Sequence, residues 1–324
     1  MREEARRDAA LDRFRLLAAV LVVCIHTSPL TSYTPAGDFW LTRVLGRVAV
    51  PFFFMVSGYF LARNDWKTTG RFLRKTLLVY GLAVAFYLPL NWYTGGFTAA
   101  EWLRRLATDG TVYHLWYFPA LILGVLIARA LARLGLPAAL TVAGILYLFG
   151  LGGDSYYGLA AGFPVLEGFY GSLFRVFSYS RNGLFFAPLF LLLGAAAKGR
   201  LPARSLPGAA LGLALMTAEG FWLRGLGWQR HDSMYLALPL CMVFLFSFLL
   251  GKNRGEDRAA RRLSALVYLL HPLMIVLVRG VARAAGLERL LIENSLGHFL
   301  AVLAAAFFAA VAFDRLRARF TPAV

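Results

Sequence analysis

Arg15 and His26 lie eleven residues apart in RLLAAVLVVCIHTSPL, an otherwise aliphatic stretch. Eleven residues at about 100° each come to rest about 20° past three full helical turns. The two side chains therefore share one stripe of a helix, with His26 roughly 16 Å further along it. Asp12 lies within about 40° of the same stripe, whereas Arg13 points almost the opposite way. A guanidinium at one end of a helix binds phosphate or carboxylate. A neutral imidazole deep in an apolar segment suits general-base work. A structural histidine bonded across helices is the plainer alternative.

Other polar groups interrupt apolar runs. RVAVPFFFMVSGYF, residues 47–60, supplies Arg47, a proline that kinks or loosens a helix, and Ser57-Gly58, a hydroxyl beside a close-approach point. YHLWYFPALI carries His114 and Trp116, as a substrate-contacting pair or as an interfacial aromatic belt. SYSRNGLFFAP opens a span with Arg181 and Asn182, a natural carboxylate site or an interfacial anchor. SALVYLLHPLMIVLVRG carries His271 before Pro272, with Arg279 eight residues on and on the same broad face. Glu167 is an acidic candidate for a ligand's ammonium group. His231 and His298 receive no role. Cys24 and Cys241 have no metal-ligand spacing and read as small buried hydrophobes, so no metal is expected.

These groups need helices in a bilayer to position them. The 324-residue chain is 59% hydrophobic and only 16% charged. Several windows run for about 18–20 nearly uncharged residues, the length of a membrane span. The expected fold is all-α: a polytopic bundle of about ten transmembrane helices, near 11–30, 40–61, 72–92, 113–132, 136–151, 183–198, 206–223, 233–250, 263–282 and 295–314. The first is read as an uncleaved span. With the N-terminus in the cytoplasm, 23 of the 34 Lys and Arg residues fall at cytoplasmic ends. Both termini are then cytoplasmic, and the net charge of +17 is a topology signal that requires no nucleic acid. Of the two longest stretches outside the spans, 93–112 contains EWLRRLATDG, an amphipathic helix suited to a membrane surface, and 152–182 is an aromatic, Gly-rich cap. No gap holds a soluble domain, so residues 1–324 read as one transmembrane domain.

Taken in order, the Arg-x10-His pair of the first span, FFFMVSGYF in the second and SALVYLLHP near the end resemble the acyltransferase-3 family of integral membrane proteins. The resemblance covers most of the chain. It implies acetyl-CoA as acyl donor, a carbohydrate or other small-molecule acceptor outside, a bacterial cytoplasmic membrane location, and functional roles for Arg15 and His26. Arg71, Arg74 and Lys75 are inferred helpers of Arg15 in holding the CoA phosphates. Ser57 or nearby backbone N–H groups are inferred oxyanion donors.

VPFFFMVSGYF, HLWYFPALI, GDSYYGL, SRNGLFFAPLFLLLG and LLHPLMIVLVRG resemble one branch of that family, the membrane-bound serine racemases of vancomycin resistance. That branch carries a cytoplasmic racemase domain after the membrane part and is associated with serine uptake. Val324 follows directly on the last expected span, so no racemase domain is expected within this sequence. The branch implies a second function: a small amino-acid permease with Arg181 or Arg279 on the carboxylate and Glu167 on the ammonium. Glu219 is then the one mid-span acid for ion coupling. A membrane scaffold for a partner enzyme is a third reading.

Overall fold

The computed structural model describes residues 9–197, 206–250 and 255–320. Among them every regular element is helical. Of the basic stretches that contribute to the charge asymmetry, 198–204 and the parts 1–8 of 1–15 and 252–254 of 252–262 lie outside the described residues. In chain order the helices are α1 (Ala9–Thr27), α2 (Pro35–Phe39), α3 (Ala49–Arg63), α4 (Thr69–Tyr93), α5 (Ala99–Ala107), α6 (Tyr117–Leu131) and α7 (Leu136–Gly152). They continue with α8 (Tyr157–Ala161), α9 (Pro164–Val176), α10 (Ala187–Ala196), α11 (Leu206–Leu226), α12 (Leu238–Leu249), α13 (Arg258–Ala284) and α14 (Ser295–Phe320).

Among the described residues, six stretches are long and apolar enough to cross a membrane: Pro35–Arg63, Thr69–Tyr93, Tyr117–Leu134, Leu206–Leu226, Arg258–Ala284 and Ser295–Arg317. The other apolar helices are shorter. α7 has 17 residues, matching the expected span, whereas α12 has 12 and α10 has 10, because turns at 183–186 and before Leu238 take up part of the length read as span. α1 carries Asp12, Arg13 and Arg15 in its first turns, and only its last part is uninterruptedly apolar. The second expected span is one long run with mixed geometry. A π-turn over Trp40–Val44 and a 3-10 turn over Leu45–Val48 precede α3. Pro51 stands in the first turn of α3, directly after the 3-10 turn, at the place where the geometry of the run changes.

The chain forms two compact units. The first takes the described residues of Met1–Val50 and Phe248–Val324. Its core joins α1, α13 and α14 through Ala19, Val23, Val267, Ile275, Val302, Ala306 and Ala310. Small and β-branched residues let these backbones approach closely, which is how helices associate where lipid removes the hydrophobic drive.

The second unit takes the described residues of Pro51–Ser247. Glycines set its helix contacts. A Cβ on Gly58 would meet the Leu191 carbonyl oxygen at 1.9 Å, and one on Gly194 would meet the Met55 oxygen at 2.0 Å. α3 and α10 thus touch backbone to backbone at two points. Phe54, Tyr117, Tyr147, Phe186 and Phe190 stack around them. Leu78, Leu82, Phe86 and Trp92 on α4 are exposed, as a lipid-facing surface requires. The EWLRR segment forms α5, started by a capping box between Thr98 and Glu101.

Gly58→Ala is therefore expected to cost about 1–3 kcal/mol through overpacking. Gly144→Ala on α7, where nothing lies within 4 Å, is the neutral control. Thermal unfolding of the two purified variants in detergent checks this; equal midpoints would remove the close contact from the account.

Candidate functional site

The shared stripe of α1 is realised within the first unit, and each of its ends meets α13. At the first end, Asp12 is 2% exposed and accepts from Arg15. It also accepts the Asp257 backbone N–H at 3.2 Å and Arg261 Nη1 at 3.5 Å. Asp257 caps α13 by accepting the Ala260 N–H at 3.0 Å, and it takes Arg13 Nε at 3.3 Å. Arg15 is thus an anion-binding group already held in place by a buried carboxylate, its side chain 16% exposed. A phosphate or carboxylate arriving there would meet Arg15 and Arg261 together, with one buried charge against them.

At the other end His26 is half-buried, and its ring lies against that of His271. The centroids are 5.3 Å apart and the planes 17° from parallel. His271 is fully buried and its Nδ1 lies 2.8 Å from the Tyr268 carbonyl oxygen. His26 stands in the last turn of α1, and His271 stands thirteen residues into α13. Arg47 is buried on the 3-10 turn before α3, and Arg279 is exposed on α13. His271 and Arg279 thus do not share a buried face.

The second unit holds the remaining candidates. Arg181 lies between two aromatic faces, its guanidinium carbon 4.5 Å from the Trp116 centroid and 4.4 Å from that of Tyr179. Burial pulls this guanidinium below its ordinary value, with Asp154 acting in the opposite direction. Asn182 turns the chain into α10: its Oδ1 accepts the Leu184 and Phe185 N–H groups, and its Nδ2 donates to Tyr179. Asn182 is therefore a backbone clamp beside Arg181. His114 is buried against Tyr87. Ser57 donates to the Phe53 carbonyl of its own helix at 2.9 Å. Glu167 on α9, and Arg71, Arg74 and Lys75 in the first turns of α4, are exposed. Glu219, the mid-span acid, accepts the Leu236 and Ala237 N–H groups and the Tyr156 hydroxyl. It caps the approach to α12 and is spent on that contact.

One cluster was not foreseen. Asp154 is fully buried and accepts the Ser233 and Met234 N–H groups at 2.7 and 3.0 Å. His231 Nδ1 lies 2.6 Å from Ser233 Oγ and 3.8 Å from Asp154. Both approaches use the same ring nitrogen, so the trio is not wired as a proton relay. Tyr179 packs on the His231 ring and links this cluster to Arg181. GDSYYGL and the loop near 231 lie far apart in sequence, and no spacing joined them. Among the described residues, no group of three or more His, Cys, Asp or Glu side chains could hold a metal ion.

Residues 8–315 match the sequence pattern of the acyltransferase-3 family, an acyltransferase domain. The chain belongs to the acyltransferase-3 family. It is a multi-pass membrane protein of that family, with six stretches among the described residues fit to span. Two curated relatives are named for another activity. An amino-acid racemase of Enterococcus faecalis is 38% identical over 97% of this chain and 46% of that protein. A serine/alanine racemase of Enterococcus gallinarum is 38% identical over 92% of the chain and 44% of that protein. The chain spans about half the length of the curated relatives it matches. No solved structure matches it. The Arg-x10-His pair that carried the family resemblance is thus the pair that α13 grips at both ends.

The Ala260 N–H bond, helped by Arg13, holds the Asp257 carboxyl below its ordinary value of 3.8. A depressed acid stabilises above its unfolded value, and the contribution is lost as pH falls through the folded one. Thermal scans from about pH 5 to about pH 3 should show wild type losing more stability than Asp257→Asn, whose amide still caps but does not titrate. Parallel curves would detach Asp257 from the α1–α13 junction.

Proposed function

We propose that the chain is a membrane-embedded O-acyltransferase that moves an acyl group, acetyl by family likeness, from cytoplasmic acyl-CoA to a hydroxyl or amine at the outer side. In this reading residues 1–324 form one acyltransferase-3-like domain of ten spans with both termini cytoplasmic, in a bacterial cytoplasmic membrane. The observation that carries it is the stripe on α1: Arg15 held ready at one end, half-buried His26 stacked on the buried His271 at the other. The separation, about 16 Å along the helix, suits the pantetheine arm of a CoA whose phosphates rest near Arg15. Arg71, Arg74 and Lys75 are basic helpers on the same cytoplasmic side in the proposed topology.

The chemistry needs one proton acceptor. His26 takes the proton of the acceptor hydroxyl as its oxygen attacks the thioester carbonyl. The tetrahedral oxyanion collapses, the C–S bond breaks, and the CoA thiolate leaves with the proton returned from His26. Acceptors are small molecules or carbohydrates bearing a free hydroxyl. Ser57 is a proposed oxyanion donor, which requires its hydroxyl to leave the Phe53 carbonyl.

A second reading is favoured by a separate observation. The relatives named amino-acid racemase and serine/alanine racemase match 97% and 92% of this chain with less than half of themselves. The chain is then the serine uptake or binding module that feeds a cytoplasmic racemase domain. Arg181, in its aromatic sleeve, is the better carboxylate ligand there, since Arg279 is exposed. Glu167 would take the ammonium; Trp116 and His114 would line the site.

Proteoliposomes with labelled acetyl-CoA on the cytoplasmic face separate the two. His26→Ala should lower transfer by roughly 10²–10⁴-fold, and Arg15→Ala should raise KM for the CoA ester. Full transfer by His26→Ala refutes the mechanism. Saturable serine entry without thioester loss selects the second reading.

A further inference from the structure

Proline within a helix removes the N–H that the carbonyl four residues earlier would accept. Pro272 lies inside α13, and the carbonyl it deprives is that of Tyr268. The His271 ring fills this gap. Its Nδ1 is 2.8 Å from the Tyr268 oxygen and 3.3 Å from that of Val267. Carbonyl oxygens only accept, so Nδ1 carries a proton, and in the neutral ring Nε2 then carries none. The same bond sets the ring plane. That plane is 17° from the plane of His26, with centroids 5.3 Å apart, and the Tyr268 ring closes a further side at 6.1 Å.

We infer that His271 is a positioning residue for His26. Pro272 frees the Tyr268 carbonyl, the carbonyl locks His271 as the Nδ1–H tautomer, and the locked ring fixes His26 for proton transfer. His271 acts through His26 and does not touch the substrate. The inference rests on His26 being the proton acceptor, but the lock itself is a property of α13 and has a readout of its own.

The test uses the full chain in nanodiscs, labelled with ¹⁵N-histidine. The His271 resonances are assigned by difference from His271→Asn. Wild type should show His271 with a protonated Nδ1 and a bare Nε2. Pro272→Ala returns an N–H to the Tyr268 carbonyl; it should mix the tautomers and lower kcat by about tenfold or more, with KM for acetyl-CoA unchanged. His271→Ala should lower kcat on the order of 100-fold, the scale of a misplaced reacting group. His271→Asn, whose amide reaches the same carbonyl, should recover part of that loss. The inference is overturned by an Nε2–H signal in wild type, by Pro272→Ala leaving both tautomer and kcat intact, or by equal losses in His271→Ala and His271→Asn. If Pro272→Ala does not fold, the tautomer in wild type and the Ala–Asn comparison still decide. No transfer by wild type overturns the positioning role through the reading it rests on, while the tautomer signal separately reports the lock.

Discussion

The pairing of α1 with α13 is the contact on which the candidate site depends. These helices are separated by over 200 residues of chain, yet they meet at both ends of one stripe. At one end a buried Asp12 takes donors from Arg15, from Arg261 and from the backbone that begins α13. At the other, His26 lies on His271. Between them the contact is made by small and branched aliphatic side chains. Polar groups inside a bilayer are costly unless satisfied within the protein. That constraint explains why Asp12 and Arg15 pair with each other and why Asp12 takes further donors from the start of α13.

The second unit solves a different problem. Its helices are joined by backbone contact at glycines and by stacked aromatics, and its polar side chains are largely used in shaping loops. Asn182, Asp154 and Glu219 each accept two or more backbone N–H groups where a helix or turn begins. Carboxylates and amides in this role read from sequence as ligand-binding residues, because nothing local shows that their acceptors are already occupied. Arg181 is different. Its guanidinium lies over the ring faces of Trp116 and Tyr179, a contact that uses the plane of the fork rather than its edge.

Much of this was legible in advance. The Arg15–His26 stripe follows from 3.6 residues per turn and needed no fold. The helical, membrane-embedded class follows from apolar run length. The amphipathic α5 follows from its charge pattern and its Thr98 start. The His271-Pro272 pair was visible too, and so was the carbonyl that Pro272 must deprive, four residues back. What the pattern did not reveal is that His271 turns to that carbonyl. Arg279, eight residues on, was expected on the same face and is exposed instead, since 80° of drift is enough to carry a long side chain off a buried stripe.

By itself the sequence determined the helical class, the membrane setting and the family, because these depend on apolar run length, on motif order and on the cost of polar groups in lipid. Only the tertiary structure decided which polar residues meet. The stacking of His26 on His271, the sharing of Asp12 between two arginines, and the joining of Asp154 to His231 each require two segments far apart in the chain to arrive at one place. Such meetings are set by which helix faces pack, and that is a property of the whole bundle.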